Sequence, residues 1–114
     1  MLVKLLGRSW VLCALIAVAG CVVYIPVLEA DFISTWDDNV FITDNHDLRA
    51  PDALKRIWTT PEMPQGYPNY PLVFTTYRIE YLLWCFDPVG YHVVNVLLHA
   101  LSGVLVFLVL RSLR

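Results

Sequence analysis

The sequence is poor in charge. Only 16% of its 114 residues are Asp, Glu, Lys or Arg, against about 25% in an average soluble domain, whereas 58% are hydrophobic. The few basic residues do not form the clustered positive face that nucleic-acid binding needs, so we expect no nucleic acid as a partner. This composition excludes an ordinary soluble globule and indicates a membrane protein.

Cysteine is also scarce. Cys13, Cys21 and Cys85 lie in or next to hydrophobic runs, and no two of them have C-x-x-C spacing. Neither a disulfide framework nor a zinc site is therefore predicted.

What the chain does contain is two long uncharged stretches, at about residues 10–28 and 89–110. Nineteen residues in a helix extend about 28 Å, close to the hydrocarbon core of roughly 30 Å. The second stretch includes Asn95, His99 and Ser102 but no formal charge. We predict an all-α integral membrane protein, a helical hairpin of two transmembrane helices joined by a loop at about 29–88.

A cleaved signal is the alternative for the first stretch. Lys4 and Arg8 resemble the basic start of a signal peptide, and Val18-Ala19-Gly20-Cys21 resembles a lipoprotein cleavage site with Cys21 as the lipidated residue. The apolar run continues beyond Cys21 as far as Leu28, which favours a span that stays in the membrane.

Charge segregation predicts the orientation. All ten acidic residues lie between Glu29 and Asp87, and basic residues flank the outer ends of the two spans: Lys4, Arg8, Arg111 and Arg114. The positive-inside rule then places both termini in the cytoplasm and the loop outside. We therefore expect a multi-pass protein of the bacterial inner membrane or the endoplasmic reticulum, in contact with membrane lipid.

The loop contains two short helical patterns. Residues 51–60 (PDALKRIWTT) predict a helix with Leu54, Ile57 and Trp58 on one face. Residues 72–86 are apolar but include Arg78 and Glu80, and each charge inside a membrane would cost on the order of 2.5–3.5 kcal/mol. We predict that the first helix rests on the membrane surface or on other parts of the protein and that the second is interfacial or re-entrant. Most aromatic side chains are predicted to be interfacial anchors: Trp10, Trp58, Trp84, Tyr24, Tyr77, Tyr81 and Tyr91.

Adjacent carboxylates follow the first span, at Asp37 and Asp38. Desolvation and a like-charged neighbour both favour the neutral form of a carboxyl, so one of the pair can be tuned to take a proton from a hydroxyl. The alternative is that the pair forms a solvated turn or a helix N-cap.

A longer series of residues surrounds this pair in a fixed order. It comprises Trp36-Asp37-Asp38, Phe41-Ile42, Asn45, Trp58, Tyr70-Pro71-Leu72, Glu80, Trp84, Pro88-Val89-Gly90-Tyr91-His92 and Asn95-Val96-Leu97-Leu98-His99-Ala100. The series resembles the N-terminal part of the GT-C fold membrane glycosyltransferases, in particular the TMTC-like and protein O-mannosyltransferase group, including bacterial relatives with tetratricopeptide repeats. The resemblance covers about residues 32–110.

The resemblance implies an enzyme that transfers a sugar, mannose-like, from a polyprenyl-phosphate or dolichyl-phosphate donor to a Ser or Thr hydroxyl of an acceptor protein. In such families an acidic residue at the start of the first outer loop is the general base, and the matching positions are Asp37, our first choice, and Asp38. Because the family has many more spans, the resemblance also implies a fragment of a larger multi-pass domain that is inactive alone. The rival hypothesis is a small non-enzymatic membrane anchor or assembly protein whose acidic loop binds a partner.

Four further residues are candidates for substrate binding. Asn95 and His99 are spaced i, i+4 on the second span and His92 lies about one turn earlier, so they either pack helices together or bind the donor phosphate. Arg78 either contacts the donor phosphate or pairs with Glu80 or a nearby aspartate. The sequence assigns no cofactor. A divalent metal ion stays an alternative, but two histidines on one helix, His92 and His99, are not enough to predict a metal site.

Overall fold

The computed structural model describes residues 9–62 and 66–113. Within these residues the chain is helical and has no strand, apart from an isolated bridge between Glu62 and Pro68. The helices are α1 (Ser9–Val23), α2 (Ala53–Thr59), α3 (Pro71–Trp84) and α4 (Pro88–Ser112). Shorter turns lie at Ile25–Glu29 and His46–Leu48, both 3₁₀, and at Asn39–Thr43, which is π-helical. The prediction of an all-α fold is confirmed.

Two compact units make up the chain. One contains α1 with its following turn and α4 from His92 onward, and the other is Asp31–Tyr91. The basic residues Lys4, Arg8 and Arg114, on which the predicted orientation partly depends, lie outside the described residues.

The first unit is a hairpin of two apolar helical segments. Ser9–Glu29 and Pro88–Ser112 are both long and apolar enough to cross a membrane, since 21 and 25 residues extend about 31 and 37 Å. No residue of α1 is buried, and from His92 onward α4 buries only Ala100 among the described residues. So much exposed Leu and Val surface suits lipid as the solvent, and the predicted two-helix hairpin is confirmed.

Small residues bring the two segments close together. A Cβ built on Gly20 would lie 3.4 Å from the Cβ of Ala100, and one on Gly103 would lie 3.3 Å from Cγ2 of Ile16. Small side chains allow such close approach where no hydrophobic effect drives association. Because Ile16 is opposite Gly103 and Gly20 is opposite Ala100, the two segments run antiparallel.

The second unit has a small aromatic and aliphatic core. Leu48, Ile57 and Phe74 form its buried cluster, with Phe41 and Tyr77 packed against it. The rings of Phe41 and Phe74 meet edge to face, with centroids 5.6 Å apart, a favoured geometry for aromatic pairs. The core therefore joins the π-helical turn, the second 3₁₀ turn, α2 and α3.

The predicted apolar face of α2 is partly wrong. Ile57 is buried as expected, but Leu54 and Trp58 are exposed and Ala53 is buried instead. The helix begins at Ala53, so the pair at i and i+4 that faces the core is Ala53 with Ile57. Trp58 reaches α3 by its polar edge, because its Nε1–H donates to Oγ1 of Thr75 at 3.1 Å.

Two asparagines satisfy backbone groups between these short elements. Asn45, which is buried, donates to the carbonyl of Phe41 and accepts from the N–H of Asp47. Asn69 donates to the carbonyls of Ile57 and Thr60, at 2.6 Å each. Such side-chain partners are needed because short helices leave most of their terminal backbone groups unpaired.

A tight junction connects α3 to α4. Cys85 ends α3 with a φ of 52°, and the Oδ1 of Asp87 accepts from the N–H of Val89 at 3.1 Å, so that Asp87 caps α4 before Pro88. The indole of Trp84 fills the space where a Cβ on Gly90 would be. The junction thus requires a glycine at position 90.

Tyr91 was expected to be an interfacial anchor, and this prediction is wrong. Its side chain is buried, its hydroxyl donates to the carbonyl of Cys85 at 2.8 Å, and its ring meets the edge of Phe32 at 5.2 Å. The physical reason is that the hydroxyl finds a backbone partner inside the protein, so the ring can be buried without leaving its polar end unpaired.

Candidate functional site

The adjacent carboxylates Asp37 and Asp38 have different surroundings. Both have helical backbone and directly precede the π-helical residues Asn39–Thr43. Asp38 is partly buried, and its Oδ2 accepts from the N–H of Ile33 at 2.8 Å. Asp37 is exposed and makes no hydrogen bond or ion pair with the residues that the structure describes. Asp38 therefore supports the backbone through Ile33, whereas Asp37 faces solvent.

Asp37 also lines an open groove. The groove has a volume of about 410 Å³, within the usual range for small-molecule sites. Its lining residues are Thr35, Trp36, Asp37, Asn39, Val40 and Tyr67. Trp36 is 70% exposed, so an apolar ring surface lies next to the carboxylate. This combination of an aromatic face, an amide and a carboxylate suits a polar ligand with both hydroxyl and C–H surfaces, such as a sugar.

Tyr77 on α3 packs against the buried core of the second unit. Its ring packs near Phe74, with centroids 6.1 Å apart. Burial, followed by the charges of Glu80, Asp38 and Asp37, raises the pKa of Tyr77. The hydroxyl is therefore a neutral phenol at physiological pH and can donate a hydrogen bond.

Glu80, one turn further along α3, is a buried carboxyl. Only 3% of the residue is exposed, its Oε2 has no hydrogen-bond partner, and burial raises its pKa from 4.5 to about 7. The sequence indicated a charge in an interfacial helix and missed its burial in protein. The signal was the three-residue spacing of Phe74, Tyr77 and Glu80, which places them near one side of the helix.

Arg78 lies elsewhere. Its guanidinium donates through Nη1 to the main-chain carbonyl of Leu48, and no ion pair joins it to Glu80 in the described part of the chain. Arg78 is also absent from the residues that line the groove around Asp37. Of the two alternatives for Arg78, the ion pair with Glu80 or a nearby aspartate is not formed among the described residues, because the guanidinium contacts the 3₁₀ turn at His46–Leu48; its contact with a donor phosphate stays a prediction.

The polar residues of the second span come together. His92, Asn95 and His99 line an open cavity of about 290 Å³ within the hairpin unit, together with Tyr24, Val27 and Val96. The Nε2 of His92 lies 3.0 Å from the carbonyl oxygen of Ala30, and the ring of His99 meets the edge of Tyr24 with centroids 4.9 Å apart. Some of these groups thus pack the helices, while Asn95 is exposed to the cavity.

Metal ligation finds no geometric support in the residues described. No three His, Cys, Asp or Glu side chains among residues 9–62 and 66–113 are grouped so that they could hold a metal ion. His92 and His99 share the cavity on α4 without a third ligand from this part of the chain.

Fold and site together define a class: an all-α membrane hairpin whose connecting segment carries an exposed carboxylate in an open groove. Curated proteins similar to the chain include Protein O-mannosyl-transferase Tmtc1 of Drosophila melanogaster, at 36% identity over 111 residues, covering 87% of this chain and 13% of that protein. Tmtc3 of the same organism is 38% identical over 91 residues, covering 74% of this chain and 10% of the relative. Human TMTC4 is 38% identical over 89 residues, covering 71% of this chain and 12% of that protein.

The chain is therefore a TMTC-like sequence, and the resemblance predicted from its motif series is confirmed. It spans only about a tenth of the length of these relatives. No protein-family model matches it, and no solved structure matches it significantly.

Proposed function

We propose that the chain forms the first two spans and the first outer loop of a membrane glycosyltransferase of the protein O-mannosyl-transferase type. The enzyme transfers a mannose-like sugar from a polyprenyl- or dolichyl-phosphate donor to a Ser or Thr hydroxyl of an acceptor protein. The relatives' names support the reaction class. The observation that carries the proposal is the exposed carboxylate of Asp37 in an open groove.

Asp37 acts as the general base. Its carboxylate takes the proton of the acceptor hydroxyl as that oxygen bonds to the anomeric carbon, while the bond from this carbon to the phosphate oxygen breaks and the lipid phosphate leaves with the electron pair. A base needs an oxygen within hydrogen-bond reach of the acceptor. Asp37 meets this requirement better than Asp38, because Asp38 already accepts from the backbone of Ile33.

The position of Asp37 in the chain agrees with a lipid-linked donor. It follows the end of the first apolar segment, at Glu29, by only eight residues. A donor whose sugar is attached to a membrane lipid presents its anomeric carbon close to the membrane surface. A base that is tethered shortly after a membrane span can therefore meet the reacting carbon there.

The cavity on the hairpin binds the donor's phosphate in this proposal. His92, Asn95 and His99 line it with Tyr24, and imidazole, amide and phenol groups can all donate hydrogen bonds to phosphate oxygens. We assign Arg78 a smaller contribution to donor binding. The carbonyl of Leu48 accepts from its Nη1, and a guanidinium has five N–H donors in total, so other donors stay available to the phosphate.

The experiment compares Asp37→Asn with Asp38→Asn in the protein expressed from its complete reading frame, in membranes supplied with a dolichyl-phosphate-linked sugar. We expect Asp37→Asn to lower sugar transfer by about 10²-fold or more, because general base catalysis contributes about 10²–10⁴-fold. Asp38→Asn should lose less, because its main contact is with the backbone. Both variants should insert into the membrane as the parent does, as measured by protease protection.

Full transfer by Asp37→Asn would refute the assignment of the base. Labelling of a cysteine placed at Trp36 checks the topology separately. A label that enters only from the cytosolic side would put Asp37 on the wrong side of the membrane and overturn the proposed function.

A further inference from the structure

A cavity opens between the two apolar segments of the hairpin unit, near the end of α4 that carries Arg111. Its volume is about 560 Å³, and its lining residues are Leu12 from α1 and Phe107, Leu110 and Arg111 from α4. This volume lies within the usual range for small-molecule sites. The cavity shares no lining residue with the one that contains His92, so the proposed function does not use it.

The sizes of the facing side chains explain why the two segments separate here. Gly20 and Gly103 lie where the segments approach most closely, because a glycine leaves room for the opposite helix. One turn beyond Gly103, the antiparallel pair has Leu12 on α1 and Phe107 on α4. Two large side chains hold the helices further apart than a glycine does. The cavity is therefore a consequence of the sequence at this layer.

The walls of the cavity are hydrocarbon. Leu12 and Phe107 are half-buried, and Leu110 is exposed. An acyl chain in the cavity would contact both helices at once, which a lipid on the outer face of one helix cannot do. The apolar part of the site is thus suited to the chain of a membrane lipid, in segments that are long and apolar enough to cross a membrane.

Arg111 adds a positive charge to the edge of this apolar cavity. It lies one turn after Phe107, is exposed, and makes no ion pair with the residues that the structure describes. All ten acidic residues lie between Glu29 and Asp87, so neither apolar segment contributes a carboxylate beside the cavity. A guanidinium binds phosphate oxygens through two parallel hydrogen bonds, and basic pockets between membrane helices bind anionic head groups.

We propose that this cavity binds an anionic phospholipid. One acyl chain lies against Leu12, Phe107 and Leu110, and the phosphate binds to Arg111. A zwitterionic lipid presents the same phosphate together with its own cation, which weakens its attraction to a guanidinium. The site therefore prefers a lipid with a net negative charge. It does not depend on sugar transfer, and it is a lipid site in addition to the one proposed for the donor.

The test uses the 114-residue chain in micelles of an uncharged detergent that contain equal amounts of phosphatidylglycerol and phosphatidylcholine. Native mass spectrometry measures which lipid the chain retains. We expect wild type to retain phosphatidylglycerol over phosphatidylcholine by about tenfold, the size expected for hydrogen bonds to a charged group. Arg111→Gln should lose most of this preference. Lys55→Gln is the matched control, because it removes one positive charge from an exposed position on α2 and should keep the preference.

Equal retention of the two lipids by wild type would overturn the proposal, as would an unchanged preference in Arg111→Gln. Arg111→Lys tests whether the loss in Arg111→Gln is due to charge. Lysine keeps the charge, so we expect this variant to regain preference for phosphatidylglycerol. A loss as large as that of Arg111→Gln would mean that the substitutions act through the structure of the helix end, and the assignment of the phosphate to Arg111 would be overturned.

A second pair of variants tests the apolar wall. Leu110→Gln places a polar side chain in the cavity and should lower retention of phosphatidylglycerol several-fold. Leu113→Gln makes the same change at a residue that is 78% exposed and does not line the cavity, so it should retain the lipid as wild type does. Equal losses in the two variants would overturn the role of the cavity.

Glycerol 3-phosphate distinguishes a lipid from a free phosphate, because it carries the phosphate without acyl chains. We expect that it does not displace phosphatidylglycerol at equal concentration. Complete displacement would show that Arg111 binds any phosphate and that the cavity holds no acyl chain, which would overturn the lipid as the ligand.

Discussion

Glu80→Gln should make the chain more stable at alkaline pH and leave its stability nearly unchanged at acidic pH. The folded-state pKa of Glu80, about 7, lies above its ordinary value of 4.5, so the folded chain binds a proton more tightly than the unfolded chain between these values. The free energy of unfolding therefore falls as the pH rises from about 4.5 to about 7, and stays lowered above that. The variant lacks this loss, because its amide does not ionise.

The size of the effect follows from the difference between the two pKa values. A difference of 2.5, from 4.5 to about 7, corresponds to on the order of 3 kcal/mol, since one pKa unit is about 1.4 kcal/mol. Water entering the site lowers the gain, so we expect Glu80→Gln to exceed wild type by about 1–3 kcal/mol at pH 8. A constant difference from the new amide group would shift both ends of the curve equally and leave the pH dependence intact.

Tryptophan fluorescence during unfolding of the 114-residue chain in detergent micelles, from pH 4.5 to 8.5, measures this difference. Glu62→Gln is the matched control, because Glu62 is exposed and its replacement removes the same charge without a change in burial. We expect the stability difference between wild type and the control to be the same at both ends of the range. A Glu80→Gln curve parallel to that of wild type would refute the burial argument.

Three further substitutions test the local geometry by the same unfolding measurement. Gly90→Ala should destabilise the chain by about 1–3 kcal/mol, because the new methyl overlaps the indole of Trp84. Adding Trp84→Ala to this variant should remove most of the penalty, and additive losses of stability in the double variant would contradict the contact. Cys85→Gly should stabilise the chain by about 1 kcal/mol, since glycine adopts a φ of 52° without strain. Cys85→Ala should give no such gain, and equal changes in stability for the two variants would show that the backbone at Cys85 is not strained. Asn69→Ala should cost about 1–3 kcal/mol by leaving the carbonyls of Ile57 and Thr60 without their partner, and no loss would mean that water replaces the amide.

The membrane hairpin could be predicted from the sequence because its signal is continuous. The stretches predicted at about 10–28 and 89–110 coincide with helical segments at Ser9–Glu29 and Pro88–Ser112 that are long and apolar enough to cross a membrane, since a run of uncharged residues of the right length has few alternative structures. The end of α4 extends beyond the prediction because Arg111 continues the helix. A charged residue ends the apolar run without ending the hydrogen-bonded helix.

Residues in the loop were harder to predict, because their burial depends on contacts between short elements. Leu54 and Ile57 are both apolar and lie three positions apart on α2, yet only Ile57 is buried. Glu80 and Arg78 lie two positions apart on α3, and sequence suggests an ion pair between them. The structure separates them because Leu48, thirty residues earlier in the chain, supplies the carbonyl that Arg78 contacts. No local pattern contains that information.

The choice between Asp37 and Asp38 shows the same dependence on a third residue. The local sequence does not distinguish the two carboxylates, and a bare Asp-Asp pair is also explained as a turn; only the family resemblance made Asp37 the first choice. The N–H of Ile33 distinguishes them, because it donates a hydrogen bond to Oδ2 of Asp38, whereas Asp37 stays exposed at the groove.

The exposed apolar side of α3 strengthens the argument for a neutral Glu80. Leu72, Ile79, Leu82 and Leu83 are each more than half exposed, and a surface of this kind needs an apolar neighbour. A helix at the boundary between water and lipid would present this side to the acyl chains, and a helix inside a larger membrane domain would present it to other spans. Either neighbour would remove water from around α3 and lower the local dielectric, and desolvation disfavours an ionised carboxylate. The pKa of Glu80 in the membrane should therefore lie at or above its value in the isolated chain, and reconstitution from detergent into bilayers should move its infrared titration to higher pH and never to lower.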